Sequence, residues 1–238
     1  MKTDQRGFAH LPIILLAAAV ILGVGFAFWR INSKVSSGNN DHLPVVTDSI
    51  TNLAKCKQVV KDSNICKFAA SFNPKASYKA IDISNTTEGN GTLTILSDGK
   101  GNSAVDSSAG GANLSFVLLN GDTYIKNSDG WTKYAASGAT SPSAVNPVDG
   151  LKISAADING HGTISYKNLG SEACGSQTCF KYQIVDATQP DTTEYVWFDN
   201  QKFQLHEYYI KNANGSNDIT FTYQAVTIST PSPITSTN

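Results

Sequence analysis

Residues 113–134 read NLSFVLLNGDTYIKNSDGWTKY, and three short strands are legible in them. The runs 113–119, 122–127 and 131–134 are separated by Asn120-Gly121 and by Ser128-Asp129-Gly130. Asn-Gly between two apolar runs is a strong hairpin signal, because the turn that matches strand twist needs positive φ at both central residues. Successive side chains of a strand point to opposite faces, so a sheet with one wet face alternates apolar and polar residues. Phe116-Val117-Leu118-Leu119 does not alternate. Both faces of that strand must be covered, either by a helix or second layer or across an apolar cavity.

The same text continues on either side. Runs rich in Val, Ile, Thr, Tyr and Phe predict further strands at 77–84, 91–97, 102–108, 162–168, 178–186, 193–199, 203–211 and 217–229. Asp98-Gly99-Lys100-Gly101 and Asn214-Gly215 supply more hairpin turns, and Tyr195-Val196-Trp197-Phe198 is again apolar on both faces. Close spacing with no helical period between strands predicts an antiparallel meander. The rhythm breaks at Ser137–Gly150, an Ala/Ser/Pro-rich stretch read as a long loop, followed by a short element at 151–158.

Upstream the period is helical. Thr47-Asp48-Ser49 is an N-cap candidate, and Ile50, Leu53, Ala54, Val59 and Val60 form an apolar stripe. Cys56 and Cys66 would lie about 15 Å apart in one straight helix, too far for a disulfide. Their pairing requires a turn, and Lys61-Asp62-Ser63-Asn64 supplies turn-prone residues between them. Two short helices folded back on each other are expected, near 47–60 and 64–71. Cys174 and Cys179 form the second local pair, whose bond would be worth roughly 2 kcal/mol in the chain-entropy model. A four-cysteine zinc site fits these spacings poorly.

Residues 31–46, INSKVSSGNNDHLPVV, read as a flexible linker. Before it, Leu11–Trp29 contains no charged residue and would span roughly 28 Å as a helix, close to the thickness of a bilayer core. Phe26, Phe28 and Trp29 gather at its C-terminal end, as interfacial aromatics do. A cleaved secretory signal would need a small-x-small site, and the run ends instead in Phe-Ala-Phe-Trp-Arg. A lipoprotein signal would need a nearby Cys, and the first is Cys56. A retained single-pass anchor is expected over residues 1–30, with the domain at 47–231 outside the cytosol, where disulfides persist. The preceding Gln5-Arg6-Gly7-Phe8 resembles a prepilin leader, which is processed between Gly and Phe, here Gly7 and Phe8. The Glu normally found five residues after that junction is Pro12. The tail 232–238 is expected to be disordered.

Composition narrows the function. The chain has 238 residues, 16% of them charged, with a net charge of −1. No basic excess is present to neutralise a phosphate backbone, which argues against nucleic-acid binding. No catalytic constellation is visible. His10, His42, His161 and His206 show no metal-ligand spacing with another His or Cys, no Gly-x-Ser-x-Gly is present, and no phosphate-cradling glycine loop precedes a helix. A non-enzymatic role without metal or cofactor is the expectation.

Gly121-Asp122-Thr123-Tyr124-Ile125-Lys126 followed by Gly130-Trp131-Thr132-Lys133-Tyr134 resembles the tyrosine–lysine, glycine–tryptophan hairpin of LppX/LprG-type lipoproteins in the LolA/LolB-like carrier superfamily. Glu194–Asp199, Phe203–Glu207 and the closing strand from Phe221 to Pro231 resemble the same family in the same order. The resemblance implies a mainly β fold: a curved antiparallel sheet, or unclosed β-barrel, over a helical hairpin, with an apolar cavity for acyl chains. It implies binding of a lipid or other hydrophobic ligand; carriers of this kind are soluble or lipid-anchored, and the protein helix expected at Leu11–Trp29 departs from them, so the combined expectation is a membrane-anchored extracytoplasmic protein of a bacterial cell surface that captures its ligand near the membrane. On that reading Leu118, Tyr124, Phe180, Tyr182 and Trp197 are candidate pocket walls, each equally suited to plain core. The alternative is a pilin-like or adhesin-like structural protein presented by the anchor.

Overall fold

The computed structural model describes residues 53–71, 76–87, 89–134 and 164–237. The chain divides into Met1–Asn39 and Asn40–Asn238, and every described residue belongs to the second unit. The expected anchor, the Gly7-Phe8 junction, the linker 31–46, the loop Ser137–Gly150 and the element at 151–158 lie outside the described residues. No helix among the described residues is long and apolar enough to cross a membrane.

Two helices open the unit, α1 (Leu53–Val60) and α2 (Ser63–Ser71). The turn between them is built by the residues that the sequence marked. Lys61 takes a left-handed φ of 56°, which ends α1. The Asp62 carboxylate then accepts the backbone N–H groups of Asn64 (2.8 Å) and Ile65 (3.1 Å), capping α2. The Cys56–Cys66 disulfide clips the two helices with a Cα–Cα distance of 5.7 Å. Cys56, Cys66, Ile65 and Phe68 form the buried side of this hairpin.

The remaining described residues form one sheet. Its strands are β1 (Tyr78–Thr86), β2 (Gly89–Ser97), β3 (Ser103–Ala109), β4 (Ala112–Leu119), β5 (Asp122–Asn127), β6 (Gly130–Tyr134), β7 (Ile164–Cys174), β8 (Gln177–Asp186), β9 (Thr193–Asp199), β10 (Leu205–Asn212), β11 (Gly215–Tyr223) and β12 (Ile234–Thr237). Their order is β12-β6-β5-β4-β3-β2-β1-β11-β10-β9-β8-β7. Two meanders, β1–β6 and β7–β11, are joined where β1 pairs with β11 along its whole length, from Tyr78↔Tyr223 to Thr86↔Gly215. The sheet is antiparallel apart from β12 and stays unclosed, with β12 and β7 at its ends. Asn120 and Gly121 take φ values of 54° and 87°, as the Asn-Gly turn requires.

Two expectations are corrected. The last body strand ends at Tyr223, although residues to 229 were expected in it. The tail expected to be disordered contains β12, which pairs in parallel with β6, and the Trp131 N–H donates to the Pro233 carbonyl at 3.0 Å. The exposed edge of β6 offers unpaired backbone groups, and the β-branched run Ile-Thr-Ser-Thr can meet them.

The helical hairpin packs on one face of the second meander. Phe68 of α2 stacks on Phe198 of β9 with ring centroids 4.5 Å apart. Tyr182 (5.3 Å), Phe180 (5.8 Å) and Phe203 (6.2 Å) surround Phe198. The Lys67 ammonium lies 5.0 Å over Phe203, and the Ser71 hydroxyl donates to the Phe203 carbonyl at 2.7 Å. The Tyr182 hydroxyl donates to the Asp62 carboxylate at 2.8 Å. Asp62 therefore caps α2 and ties it to β8 at once.

Candidate functional site

Cross-strand register defines what else shares the helix-bearing face. Phe221, Ala80, Ile95, Val105, Phe116 and Ile125 form one row across β11, β1, β2, β3, β4 and β5. Burial falls along this row. Phe221, Ala80, Ile95 and Val105 are 1–3% exposed, Phe116 is half-buried, and Ile125 is 37% exposed. On the same face Leu114 and Leu118 are half-buried and Tyr134 is 40% exposed. The described helix contacts lie on β8, β9 and the β9–β10 turn, at the other end of the sheet. Leu114, Phe116, Leu118, Ile125 and Tyr134 thus form a partly exposed apolar strip on β4–β6, continuous with the core and interrupted by the buried Thr123 and Thr132.

Polar groups interrupt the buried part of the face. Asp82 of β1 is 3% exposed, next to Ala80 on the same face. The Asn217 side-chain amide donates to both of its carboxylate oxygens at 3.2 Å. Burial pushes Asp82 up from its ordinary 3.8 to about 6; Asn217 opposes the rise and the negative charge of Asp218 adds to it. Farther along, the Tyr208 hydroxyl donates to Glu194.

The five candidate wall residues are not brought together. Leu118 belongs to the strip, paired with Thr123. Phe180 and Tyr182 share its face but sit in the aromatic cluster around Phe198. Tyr124 and Trp197 are corrected: they lie on the opposite, outer face. Tyr124 pairs with Val117 rather than with Leu118, and Trp197 pairs with Lys181 and Glu207. Lysine side chains help to cover these outer aromatics. The Lys133 ammonium lies 5.9 Å from the Tyr124 ring and 2.7 Å from Asp122. The Lys181 ammonium lies 4.6 Å over Trp197, whose indole N–H donates to Glu172 at 2.5 Å. Long amphipathic stems can bury apolar surface while keeping their charge in water, so among the described residues these lysines contribute to covering the outer aromatics.

Sequence reading missed Asp82 with Asn217 and the double duty of Asp62. The first had a signal. Alternation in Tyr78-Lys79-Ala80-Ile81-Asp82 puts the acid on the face of Tyr78 and Ala80. The second had none, because only the fold brings β8 to the helical turn.

Both expected disulfides are present, and the Cα–Cα distance of Cys174–Cys179 is also 5.7 Å. Cys174, Cys179 and His206 offer donor atoms within 4.8 Å of one another. The sulfurs are bonded to each other, so the group holds no thiolate ligand for a metal.

No protein-family model matches the chain. No curated protein matches it in sequence. Among solved structures, LprF from Mycobacterium bovis is matched with a TM-score of 0.46 and 13% identity, over 76% of this chain and 97% of that one. The lipoprotein LppX from Mycobacterium tuberculosis is matched with a TM-score of 0.46 and 9% identity, over 70% and 96%. A LolA-superfamily protein from Nitrosomonas europaea is matched with a TM-score of 0.28 and 10% identity, over 74% and 94%. This chain is similar to LppX-type and LolA-superfamily structures.

Proposed function

We propose that residues 47–237 form an extracytoplasmic, non-catalytic domain that binds a lipid or another hydrophobic ligand on the helix-bearing face of its sheet, tethered to the membrane by Leu11–Trp29. One observation carries the binding: the row from Phe221 to Ile125 passes from 3% to 37% exposure without losing its apolar character. An apolar strip continuous with a core gains about 0.8 kcal/mol for each methylene that it removes from water. About ten buried methylenes would supply the free energy of a micromolar complex before the costs of association are met. The tether rests on the uncharged length of Leu11–Trp29, and it favours capture of a ligand close to the membrane surface over transport across a wide space.

The test is a photoreactive fatty acid added to the full chain, with adducts mapped by peptide mass spectrometry. Adducts on Leu114, Phe116, Leu118, Ile125 or Tyr134 support the proposal. Adducts confined to Leu11–Trp29 would show that the chain meets lipid through its apolar N-terminal run and not through the sheet.

A further inference from the structure

The Cys174–Cys179 disulfide closes the β7–β8 hairpin on the outer face, away from the proposed ligand strip. Its two sulfurs differ. Cys179 is fully buried, whereas Cys174 is half-buried. A ring nitrogen of His206 lies within 4.8 Å of both. His206 reaches this place through a bulge: Leu205 pairs with Phe198 and Glu207 with Trp197, leaving His206 as the extra residue of β10. Bulges often re-aim a side chain beside a reactive site. The other disulfide lacks these features. Cys56 and Cys66 are both 0% exposed, and no such group of donors includes them among the described residues.

The geometry points to a thiol–disulfide exchange site at Cys174–Cys179, with His206 as the proton donor and a cysteine thiolate of a protein or small thiol as the substrate. The incoming thiolate attacks the more accessible Cys174 Sγ. A new S–S bond forms there, the Cys174–Cys179 bond breaks, and Cys179 leaves with the electron pair. A buried thiolate is a poor leaving group unless a proton or cation meets it. The two carboxylates in register with Cys179 are otherwise engaged. Glu172 accepts Trp197 and Lys181, and Asp199 accepts the backbone N–H groups of Gln201, Lys202 and Gln204. His206 makes no hydrogen bond or ion pair among the described residues, and from within 4.8 Å a small side-chain rotation brings its ring into hydrogen-bond reach of Cys179, to which it gives a proton as the bond breaks. A second thiolate then resolves the mixed disulfide, leaving two reduced cysteines here and one disulfide between the two substrate thiols.

The test uses the full chain in mild detergent with reduced glutathione, each disulfide followed by differential alkylation and mass spectrometry. The expected result is a glutathione adduct on Cys174, with Cys174–Cys179 opening at least about tenfold faster than Cys56–Cys66. His206→Ala should slow that opening by about tenfold or more, in line with the loss of a positioned acid. Added imidazole should restore part of the rate, which a structural role for His206 would not allow. An adduct on Cys179, equal rates for the two disulfides, or a His206→Ala rate matching the parent would overturn the assignment.

Discussion

Replacing Asp82 by asparagine tests the energetics of the helix-bearing face. The carboxyl is pushed from 3.8 to about 6 mainly by burial, so the folded protein holds its proton more tightly than the unfolded chain does. Well below pH 3.8 both states are protonated and Asp82 exerts no pull. As the pH rises from about 4 through about 6, the unfolded chain loses its proton first, and the folded state loses stability relative to it. Above about pH 6 the loss is complete. At 1.36 kcal/mol per pH unit, the interval from 3.8 to about 6 corresponds to about 3 kcal/mol. The substituted amide would keep an acceptor for the Asn217 side chain and carry no charge. Urea denaturation of both proteins at pH 4, 6 and 8 measures the effect. We expect Asp82→Asn to raise stability by no more than about 0.5 kcal/mol at about pH 4 and by about 1–3 kcal/mol at about pH 8. Equal loss of stability at all three pH values would refute the reasoning, because it would make Asp82 a hydrogen-bonding partner whose charge costs nothing.

Three further perturbations probe the β1–β11 seam, the helical hairpin and the apolar strip. Gly215→Ala places a Cβ 2.2 Å from the Asn85 carbonyl oxygen at a φ of 140°, so the β1–β11 seam should lose about 3 kcal/mol or more, read as a fall in thermal midpoint. Tyr182→Phe removes the hydroxyl that binds Asp62 and should cost about 1–3 kcal/mol in urea denaturation, with faster hydrogen exchange in α1 and α2 than in β1–β4. Phe116→Asp with Ile125→Asp should abolish retention of a fluorescent fatty acid while far-UV circular dichroism stays native, since both side chains already meet solvent.

The sequence exposed much of this fold because hairpins are local. Asn120-Gly121 and the runs on either side of it contain everything needed to place β4 and β5, and the bounds 122–127 and 193–199 are those of β5 and β9. The disulfides were legible for the same reason, each joining residues close in the chain. What the sequence did not reveal depends on strands distant in it. β12 forms because the edge of β6, about a hundred residues earlier, is open to it. Tyr124 and Trp197 were grouped with Leu118 because an aromatic residue in a doubly apolar strand carries no label for its face. Only the register of the neighbouring strands assigns one, and the lysines that cover the outer aromatics look like ordinary surface charges in the sequence.

Native mass spectrometry of the domain reports whether a hydrophobic ligand sits on the sheet. The domain would be released from the full chain by proteolysis within residues 31–46, with its cysteines oxidised. We expect a reproducible excess mass that organic extraction removes as lipid, and that is absent from the Phe116→Asp, Ile125→Asp variant. A clean apoprotein mass across independent preparations, or an excess mass that the variant keeps, would contradict it.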